Sequence, residues 1–260
     1  MNIRTYGADE RLVFCCEYLN SERPRGIREM FLLPIPSSRL GDGEELLRDV
    51  LGAGENKDTA PGEIAVVGYG IPKEIKERLS SFGALVVDVS LDEEFLLENA
   101  HLTAVGTVGR LLSDLNAAPC DLSIGIIGYG RIGRALLGLL LPLGARPVVF
   151  TGNDSVRLEL GRSGISTAAY NALRDGEGLH GVGDIDVIMN TAPSRLVGEE
   201  TLSRLKNAKI FELASGDNFP EGLEVVRLPS LPAKKYPMSA GKCLALSILR
   251  MLGEGRRNAF

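Results

Sequence analysis

Two hydrophobic patterns alternate along the chain. Uninterrupted apolar runs occupy residues 30–33, 64–67 and 84–87, and the mixed stretch 3–6 can also form a short strand. Between them, apolar residues recur at three- and four-residue spacing over residues 10–19, 43–51 and 72–82. Runs of the first kind predict strands buried on both faces, and the second spacing predicts amphipathic helices. Strands that alternate with helices of this length predict a parallel sheet, so we expect an N-terminal α/β domain over residues 1–100.

The same alternation resumes after residue 118. Further strands are predicted from residue 122 and at residues 147–151, 165–168, 186–190, 209–213 and 223–228. Residues 101–118 have helical spacing and predict a linker helix capped by Thr103, and residues 237–260 predict a C-terminal helix that is capped by Ser239, ends at Gly253 and packs toward the N-terminal domain. The predicted fold is α/β, with two doubly wound parallel-sheet domains, the second (residues 119–236) a Rossmann dinucleotide-binding domain.

A glycine motif follows the first strand of this second domain. The sequence Gly128-Tyr-Gly130-Arg131-Ile132-Gly133 joins an apolar run to a leucine-rich helical segment. In the strand–turn–helix context, Gly128 permits the turn, Gly130 lets the backbone approach a pyrophosphate, and Gly133 lets helix and strand pack closely. We therefore predict a dinucleotide site, with phosphates at the helix N-terminus. The alternative is a turn that needs glycine for steric reasons alone.

The residues at the end of the next strand should determine whether the site prefers NAD or NADP. NAD sites usually place an acidic residue about 20 residues beyond the glycines, whereas this chain has Thr151-Gly152-Asn153. Thr151 and Asn153 can donate hydrogen bonds to a 2′-phosphate, and Arg157 follows, so NADP is favoured over NAD. Alternatively, Asp154 turns toward the ribose or caps the following helix.

Two later loops should face the nicotinamide half of the cofactor. Asn190-Thr191-Ala192-Pro193 and Ala214-Ser215-Gly216 each follow a predicted strand, and loops at the carboxyl ends of parallel strands line the crevice. Glu212, one residue inside the second of these strands, is a candidate for a direct role. Alternatively, Pro193 only terminates its strand, and Glu212 is only a buried hydrogen-bond partner. The predicted cofactor-binding residues are Gly128, Gly130, Arg131, Ile132, Gly133, Thr151, Asn153, Asn190, Thr191, Ala192, Pro193, Ala214 and Ser215.

The composition favours small-molecule chemistry. A net charge of −5 gives no electrostatic basis for binding nucleic acid or an anionic membrane, and the longest apolar runs are too short to span a bilayer. The four cysteines have no metal-ligand or disulfide spacing, so we predict no metal site and a reduced, cytoplasmic setting. The two histidines are His101 and His180, the latter interpreted as a surface residue, so the late catalytic histidine of D-2-hydroxy-acid dehydrogenases is absent.

Motifs along nearly the whole chain resemble the large, A-type subunit of dipicolinate synthase. They are Gly7-x-Asp9-x-Arg11, Leu33-Pro34, Asn99-x-x-x-Thr103-x-x-Gly106-Thr107, the Gly128 motif, Asn190-Thr-x-Pro193, Leu213-Ala-Ser215, Leu231-Pro232 and Pro237-x-Ser239-Ala-Gly241. The resemblance implies a cytoplasmic NAD(P)-dependent oxidoreductase of dipicolinate synthesis in sporulation. It also implies a small flavoprotein-like partner and a dicarboxylate substrate, a dihydrodipicolinate-type ring that is oxidised to pyridine-2,6-dicarboxylate. Assembly as a homo-oligomer is compatible with it.

The chain departs from this family at two positions. Val105 stands where the family has a glutamate, and Met238 where at least some members have a lysine. These losses favour, as an alternative, a non-catalytic paralogue that binds NAD(P) as a sensor or scaffold. If the chain is catalytic, we expect Arg11 and Lys234 to bind the carboxylates, since charge-assisted bonds are the strong ones, with Thr103, Thr107 and Ser239 as donors. These side chains should converge near the Asn190 and Ala214 loops.

Overall fold

The computed structural model describes residues 1–55, 59–175, 185–198, 201, 205, 207–219 and 221–257, with residues 254–257 as backbone only. His180 lies outside the described residues. By its internal contacts the chain divides into two compact units, Met1–Asn99 with Pro232–Phe260, and Ala100–Leu231.

The first unit contains a four-stranded sheet. Its strands are β1 (Asn2–Thr5), β2 (Glu29–Leu32), β3 (Ile64–Gly68) and β4 (Leu85–Asp88), all parallel and in the order β1-β2-β3-β4. The helices between them are α1 (Glu10–Glu22), α2 (Glu44–Gly54) and α3 (Lys73–Phe82). Pro72 precedes α3 and Gly83 ends it at a φ of 91°, so its bounds lie close to the predicted range 72–82.

The helices of the first unit cover both faces of this sheet. Met30 and Leu32 of β2 share a buried cluster with Leu12, Cys15 and Leu19 of α1. The alternate β2 side chain, Phe31, shares a second cluster with apolar residues of α2 and α3, including Leu46, Val50, Ile75 and Leu79. Since successive side chains of a strand point to opposite faces, α1 lies on one face and α2 and α3 on the other.

A single long helix, α4 (Glu93–Asp114), contains most of the predicted linker helix and begins well before it. The predicted start at Thr103 is wrong. The start is instead capped by Asp92, whose carboxylate accepts a hydrogen bond from the backbone N–H of Glu94 at 3.1 Å. Thr103 lies in the middle of α4 and is 7% exposed, so burial of its apolar neighbours carries the helix through this β-branched residue. The residues of α4 up to Asn99 belong to the first unit and those from Ala100 to the second.

The second unit contains a six-stranded parallel sheet with two three-stranded halves. Its strands are β5 (Ser123–Ile127), β6 (Arg146–Phe150), β7 (Ser166–Ala168), β8 (Val187–Asn190), β9 (Lys209–Glu212) and β10 (Val225–Arg227). Their order, β10-β9-β8-β5-β6-β7, is the Rossmann order, with β5 and β8 adjacent where the strand order reverses. The helices described between the strands are α5 (Arg131–Leu140), α6 (Asp154–Arg162) and α7 (Asn171–Asp175). The predicted fold class is confirmed.

The chain ends in a short helix, α8 (Leu231–Lys235), and a long one, α9 (Pro237–Arg257). Within the first unit, Cys243, Leu244 and Ile248 of α9 join the α1 cluster. Ser239 is not the cap, because the helix already begins at Pro237. Gly253 does not end it either, because the buried stripe extends to Leu252 and a single glycine costs only about 1 kcal/mol in a helix.

No helix among the described residues has the length and apolarity to cross a bilayer. In the same part of the chain, no three His, Cys, Asp or Glu side chains are grouped closely enough to hold a metal ion.

Candidate functional site

The glycine turn between β5 and α5 has the geometry that its spacing predicts. Gly128 has a φ of 94°, which favours glycine. A Cβ on Gly133 would lie 2.2 Å from the carbonyl oxygen of Gly128, so any side chain would force α5 away from the turn. A Cβ on Gly130, in contrast, would meet no atom within 4 Å. The turn is therefore tight at Gly128 and Gly133 and open at Gly130.

The first turn of α5 faces the same open space. Its first intrahelical bond runs from the N–H of Arg134 to the carbonyl of Gly130, at 3.0 Å. The N–H groups of Ile132 and Gly133 precede that bond and have no helical acceptor, and the helix dipole adds partial positive charge there. Arg131 is exposed at this end. These features suit a bound phosphate.

Thr191 joins the two halves of the sheet beside the glycine turn. Its backbone N–H and its hydroxyl both donate to the carbonyl of Ile127, at 2.8 and 2.9 Å. Its hydroxyl would also lie 2.5 Å from a Cβ on Gly128. Thr191, predicted as a cofactor contact, thus closes the switch point between β5 and β8 and packs directly against the turn.

Arg157 is held at the end of β6, where the adenosine ribose of a dinucleotide is expected. Its Nη1 donates to the carbonyl of Thr151 at 2.9 Å, and its Nη2 donates to Asp154 at 2.6 Å. The predicted alternative that Asp154 caps α6 is wrong. Asn153 is the cap, and its side-chain oxygen accepts from the N–H of Val156 at 3.2 Å. The guanidinium of Arg157 therefore lies at this strand end together with the carboxylate of Asp154.

The carboxyl ends of β8 and β9 are joined by two buried side chains. Asn190 is 2% and Glu212 is 3% exposed, and Nδ2 of Asn190 donates to Oε1 of Glu212 at 2.8 Å. Burial raises the pKa of Glu212 above its ordinary value. The polar neighbours Asn190, Asn218 and Ala214 and the charge of Arg227 offset part of that rise. The sequence analysis did not include Glu212 among the predicted site residues but gave the alternative of a buried hydrogen-bond partner, which is what the structure shows. The available signal was an acidic residue at the last position of an apolar strand.

The loops after these strands contain the other predicted contacts. Ala192 is buried, whereas Pro193 and Ser215 are exposed. The N–H of Ala214 donates to Oε1 of Glu212 at 3.0 Å, and the carbonyl of Ser215 accepts from Nδ2 of Asn218 at 3.1 Å. All the predicted cofactor-binding residues thus belong to the second unit and stand at the glycine turn or at carboxyl ends of its strands.

The predicted substrate-binding residues are divided between the units. In the first, Arg11 is 5% exposed and donates to Asp9 through Nε at 2.8 Å and Nη2 at 2.7 Å. Lys234 and Ser239 are exposed. In the second, the Thr107 hydroxyl is fully buried and donates to the carbonyl of Thr103 at 2.8 Å, so this predicted donor is engaged within α4. The convergence of these side chains stays a prediction.

The fold is that of nicotinamide-dinucleotide dehydrogenases. Comparison of the sequence with protein-family models and with curated proteins gives no match. An NAD-complexed D-isomer-specific 2-hydroxyacid dehydrogenase from Lactobacillus delbrueckii ssp. bulgaricus has a similar structure, with a TM-score of 0.53 at 12% identity over 98% of each chain.

Higher structural similarity is found with the A-type polypeptide of dipicolinate synthase. The protein from Bacillus subtilis gives a TM-score of 0.75 at 17% identity, covering 99% of this chain and 97% of the other. That from Bacillus halodurans gives 0.72 at 17% identity, covering 96% and 97%. At the level of the fold, these similarities confirm the resemblance that the sequence motifs indicated.

Proposed function

We propose that the chain is an NAD(P)-dependent oxidoreductase that binds its dinucleotide in the second unit. The observation that carries the proposal is the open face of Gly130, which lies beside the N-terminus of α5 at the switch point of a Rossmann sheet. Gly130 leaves room for a pyrophosphate, and the helix N–H groups supply its hydrogen bonds. When bound, the cofactor would accept a hydride from the substrate.

The proposed cofactor is NADP(H). No carboxylate occupies position 151, and Arg157 is anchored to the carbonyl of that residue. The carboxylate of Asp154 shares this guanidinium, but its side chain is 88% exposed, so a change of rotamer releases it at little cost. A 2′-phosphate then takes its place on Arg157 as a stronger, doubly charged acceptor.

Calorimetric titration tests this proposal. We expect NADPH to bind more tightly than NADH, and Gly130→Val to abolish binding of both, because the valine side chain fills the pyrophosphate position. The matched control is Gly138→Val in α5, where a Cβ also meets no atom within 4 Å. Both variants should retain the wild-type circular dichroism spectrum. Wild-type protein that binds neither dinucleotide at millimolar concentration, or unchanged binding by Gly130→Val, contradicts the assignment.

For the substrate, we propose a dihydrodipicolinate-type ring, oxidised together with a small flavoprotein-like partner. The support is the full-length structural similarity to the A-type polypeptide of dipicolinate synthase and the order of the shared motifs. The oxidation would remove one hydride from the ring, which the cofactor would accept when bound, and one proton, which would pass to solvent. The product gains aromaticity, so the chemistry needs little assistance from a protein base. This agrees with a valine at position 105.

The turnover experiment supplies the product of dihydrodipicolinate synthase and NADP⁺, with and without the co-encoded small partner protein. We expect pyridine-2,6-dicarboxylate to form only when both proteins are present, and Gly130→Val to give none. If this chain alone forms the product, the proposed partner is unnecessary, whereas the proposed reaction stands. Absence of product despite measured cofactor binding supports the alternative, a non-catalytic NAD(P)-binding paralogue. That alternative is favoured by the engaged hydroxyl of Thr107 and by the exposed Met238.

A further inference from the structure

Asn190 and Glu212 form a buried polar pair at the edge of an otherwise apolar sheet layer. They are direct partners in the β8–β9 pairing, one residue before each crevice loop. On the same side of the sheet the layer consists of apolar side chains such as Ile127, Ile188 and Ile210. A polar pair buried at such a place must be hydrogen-bonded to be tolerated.

The pair bonds to the backbone of both loops at once. Nδ2 of Asn190 donates to Glu212 at 2.8 Å and to the carbonyl of Ala192 at 3.1 Å, and Oδ1 of Asn190 accepts from the N–H of Ala192 at 3.1 Å. Oε1 of Glu212 also accepts from the N–H of Ala214 at 3.0 Å. Both donors of the Asn190 amide are thereby used, so this side chain has none left for a ligand.

Glu212 also carries a cost that local stability does not explain. Its second oxygen, Oε2, is buried and has no hydrogen-bond partner in the described part of the chain. The burial of the carboxyl group is offset only in part, by the side chains of Asn190 and Asn218, the N–H of Ala214 and the charge of Arg227. Arg227, on the adjoining strand, is itself bonded to Asp217 at 2.5 Å. A buried carboxyl group that its neighbours satisfy only in part marks a candidate functional position.

We propose that Asn190 and Glu212 are positioning residues which hold the loops 190–193 and 213–216 in register for the nicotinamide half of the dinucleotide, without touching it. This inference rests on the proposed dinucleotide function. Each β–α–β half of a Rossmann sheet binds one mononucleotide. The glycine turn and Arg157 lie in the half made of β5, β6 and β7, and the bonded pair lies in the half made of β8, β9 and β10. Loss of the pair should therefore affect only one end of the cofactor.

The contributions of the two ends are distinguished by comparing the affinity for the whole cofactor with the affinity for a fragment that lacks nicotinamide. NADPH is compared with 2′-phospho-ADP-ribose, and NADH with ADP-ribose, by calorimetric titration of the full chain. We expect Glu212→Ala to weaken dinucleotide binding at least tenfold and fragment binding less than twofold. Glu212→Gln keeps the Oε1 acceptor for Asn190 and Ala214, so it should stay within threefold of wild type for both. Glu224→Ala, at the exposed amino end of β10, is the control and should change neither.

The inference is overturned if Glu212→Ala weakens both ligands equally, or leaves dinucleotide binding unchanged. The wild-type protein is measured before any variant. If it binds neither ligand, the proposed function is overturned and this inference with it. If Glu212→Ala does not fold, Asn190→Ala removes the same bond from the other strand and is judged by the same criterion.

Discussion

Asp88 lies at the centre of a network of hydrogen bonds, although sequence reasoning gave it no role. It is the last residue of β4 and is 4% exposed. Its carboxylate accepts from the N–H groups of Gly70 and Ile71, from the N–H and hydroxyl of Ser90, and from Lys76 at 2.5 Å. Burial alone would raise the pKa of Asp88, but the bonds from Lys76, Ser90 and Gly70 outweigh it and lower the pKa to about 2.

We predict that Asp88→Asn destabilises the protein by about 2 kcal/mol at neutral pH. The pKa is depressed from 3.8 to about 2 in the folded state, and each pKa unit corresponds to about 1.4 kcal/mol. This stabilisation is complete above the unfolded-state pKa and disappears as the pH falls through about 2. Urea unfolding followed by circular dichroism should show a difference from wild type that shrinks between about pH 4 and pH 2.

The control for this experiment is Asp121→Asn, which alters an exposed aspartate and should leave the unfolding midpoint nearly unchanged at every pH. A pH-independent difference for Asp88→Asn would show that the loss comes from packing and not from the charge.

At the scale of elements, α1 and α9 cross with almost no space between their backbones. A Cβ on Gly241 would lie 2.5 Å from the carbonyl oxygen of Arg11 and 2.9 Å from the backbone nitrogen of Cys15. These are backbone atoms, which cannot yield as the end of a flexible side chain can. The contact therefore depends on the absence of a side chain at Gly241.

We predict that Gly241→Ala lowers stability by roughly 1–3 kcal/mol, the usual cost of overpacking a core, although alanine is the better helix former. Gly253→Ala in the same helix is the matched control. A Cβ there meets no atom within 4 Å, so only helix propensity changes, and stability should stay the same or rise by up to about 1 kcal/mol. Thermal unfolding of both variants measures the difference. Equal shifts for the two would contradict the close approach of α1 and α9.

Sequence reasoning located elements well where burial dictates the pattern and less well where single residues set a boundary. Each strand in the described part of the chain overlaps a predicted one, and β3 and β8 are buried along their whole length, as strands of a covered parallel sheet are. The helix ends predicted at Thr103 and Gly253 are wrong, because the packing of the neighbouring residues outweighs the low helix propensity of a single residue. The predicted cap Asp154 is one residue away from the observed cap, Asn153, because asparagine and aspartate cap helices equally well.

The hand of the first crossover was beyond sequence reasoning, although helices on both faces of the first sheet were predicted. Its strands follow one another in chain order, so each crossover advances in the same direction. With α1 on one face and α2 and α3 on the other, the first crossover has the opposite hand to the next two. About 98% of such connections are right-handed, so a rule-based prediction would have placed all three helices together. The α1 face is instead completed by α9, a contact between distant parts of the chain that local patterns do not reveal.

At the scale of the whole molecule, the geometry of the glycine turn was more predictable than the placement of the proposed substrate residues. The glycine spacing encodes a local backbone geometry, and Gly128, Gly130 and Gly133 have it. The role of Glu212 depends instead on the neighbouring strand, from which 22 residues of chain separate it. The substrate residues Arg11, Lys234 and Ser239 were assigned by resemblance. Their function depends on tertiary contacts that no spacing encodes, so turnover has to decide it.

The discontinuity of the first unit has a consequence for synthesis. The second unit is one uninterrupted stretch, Ala100–Leu231, whereas the first requires both Met1–Asn99 and the residues from Pro232 onward. On the ribosome, the second unit is completely synthesised before α9 is. Until then α9 cannot cover the apolar face of α1, which carries Leu12, Cys15 and Leu19. Domains commonly mature from the N-terminus onward. Here the unit that begins earlier in this sequence is completed later, and until then it exposes an apolar surface of the kind that chaperones bind.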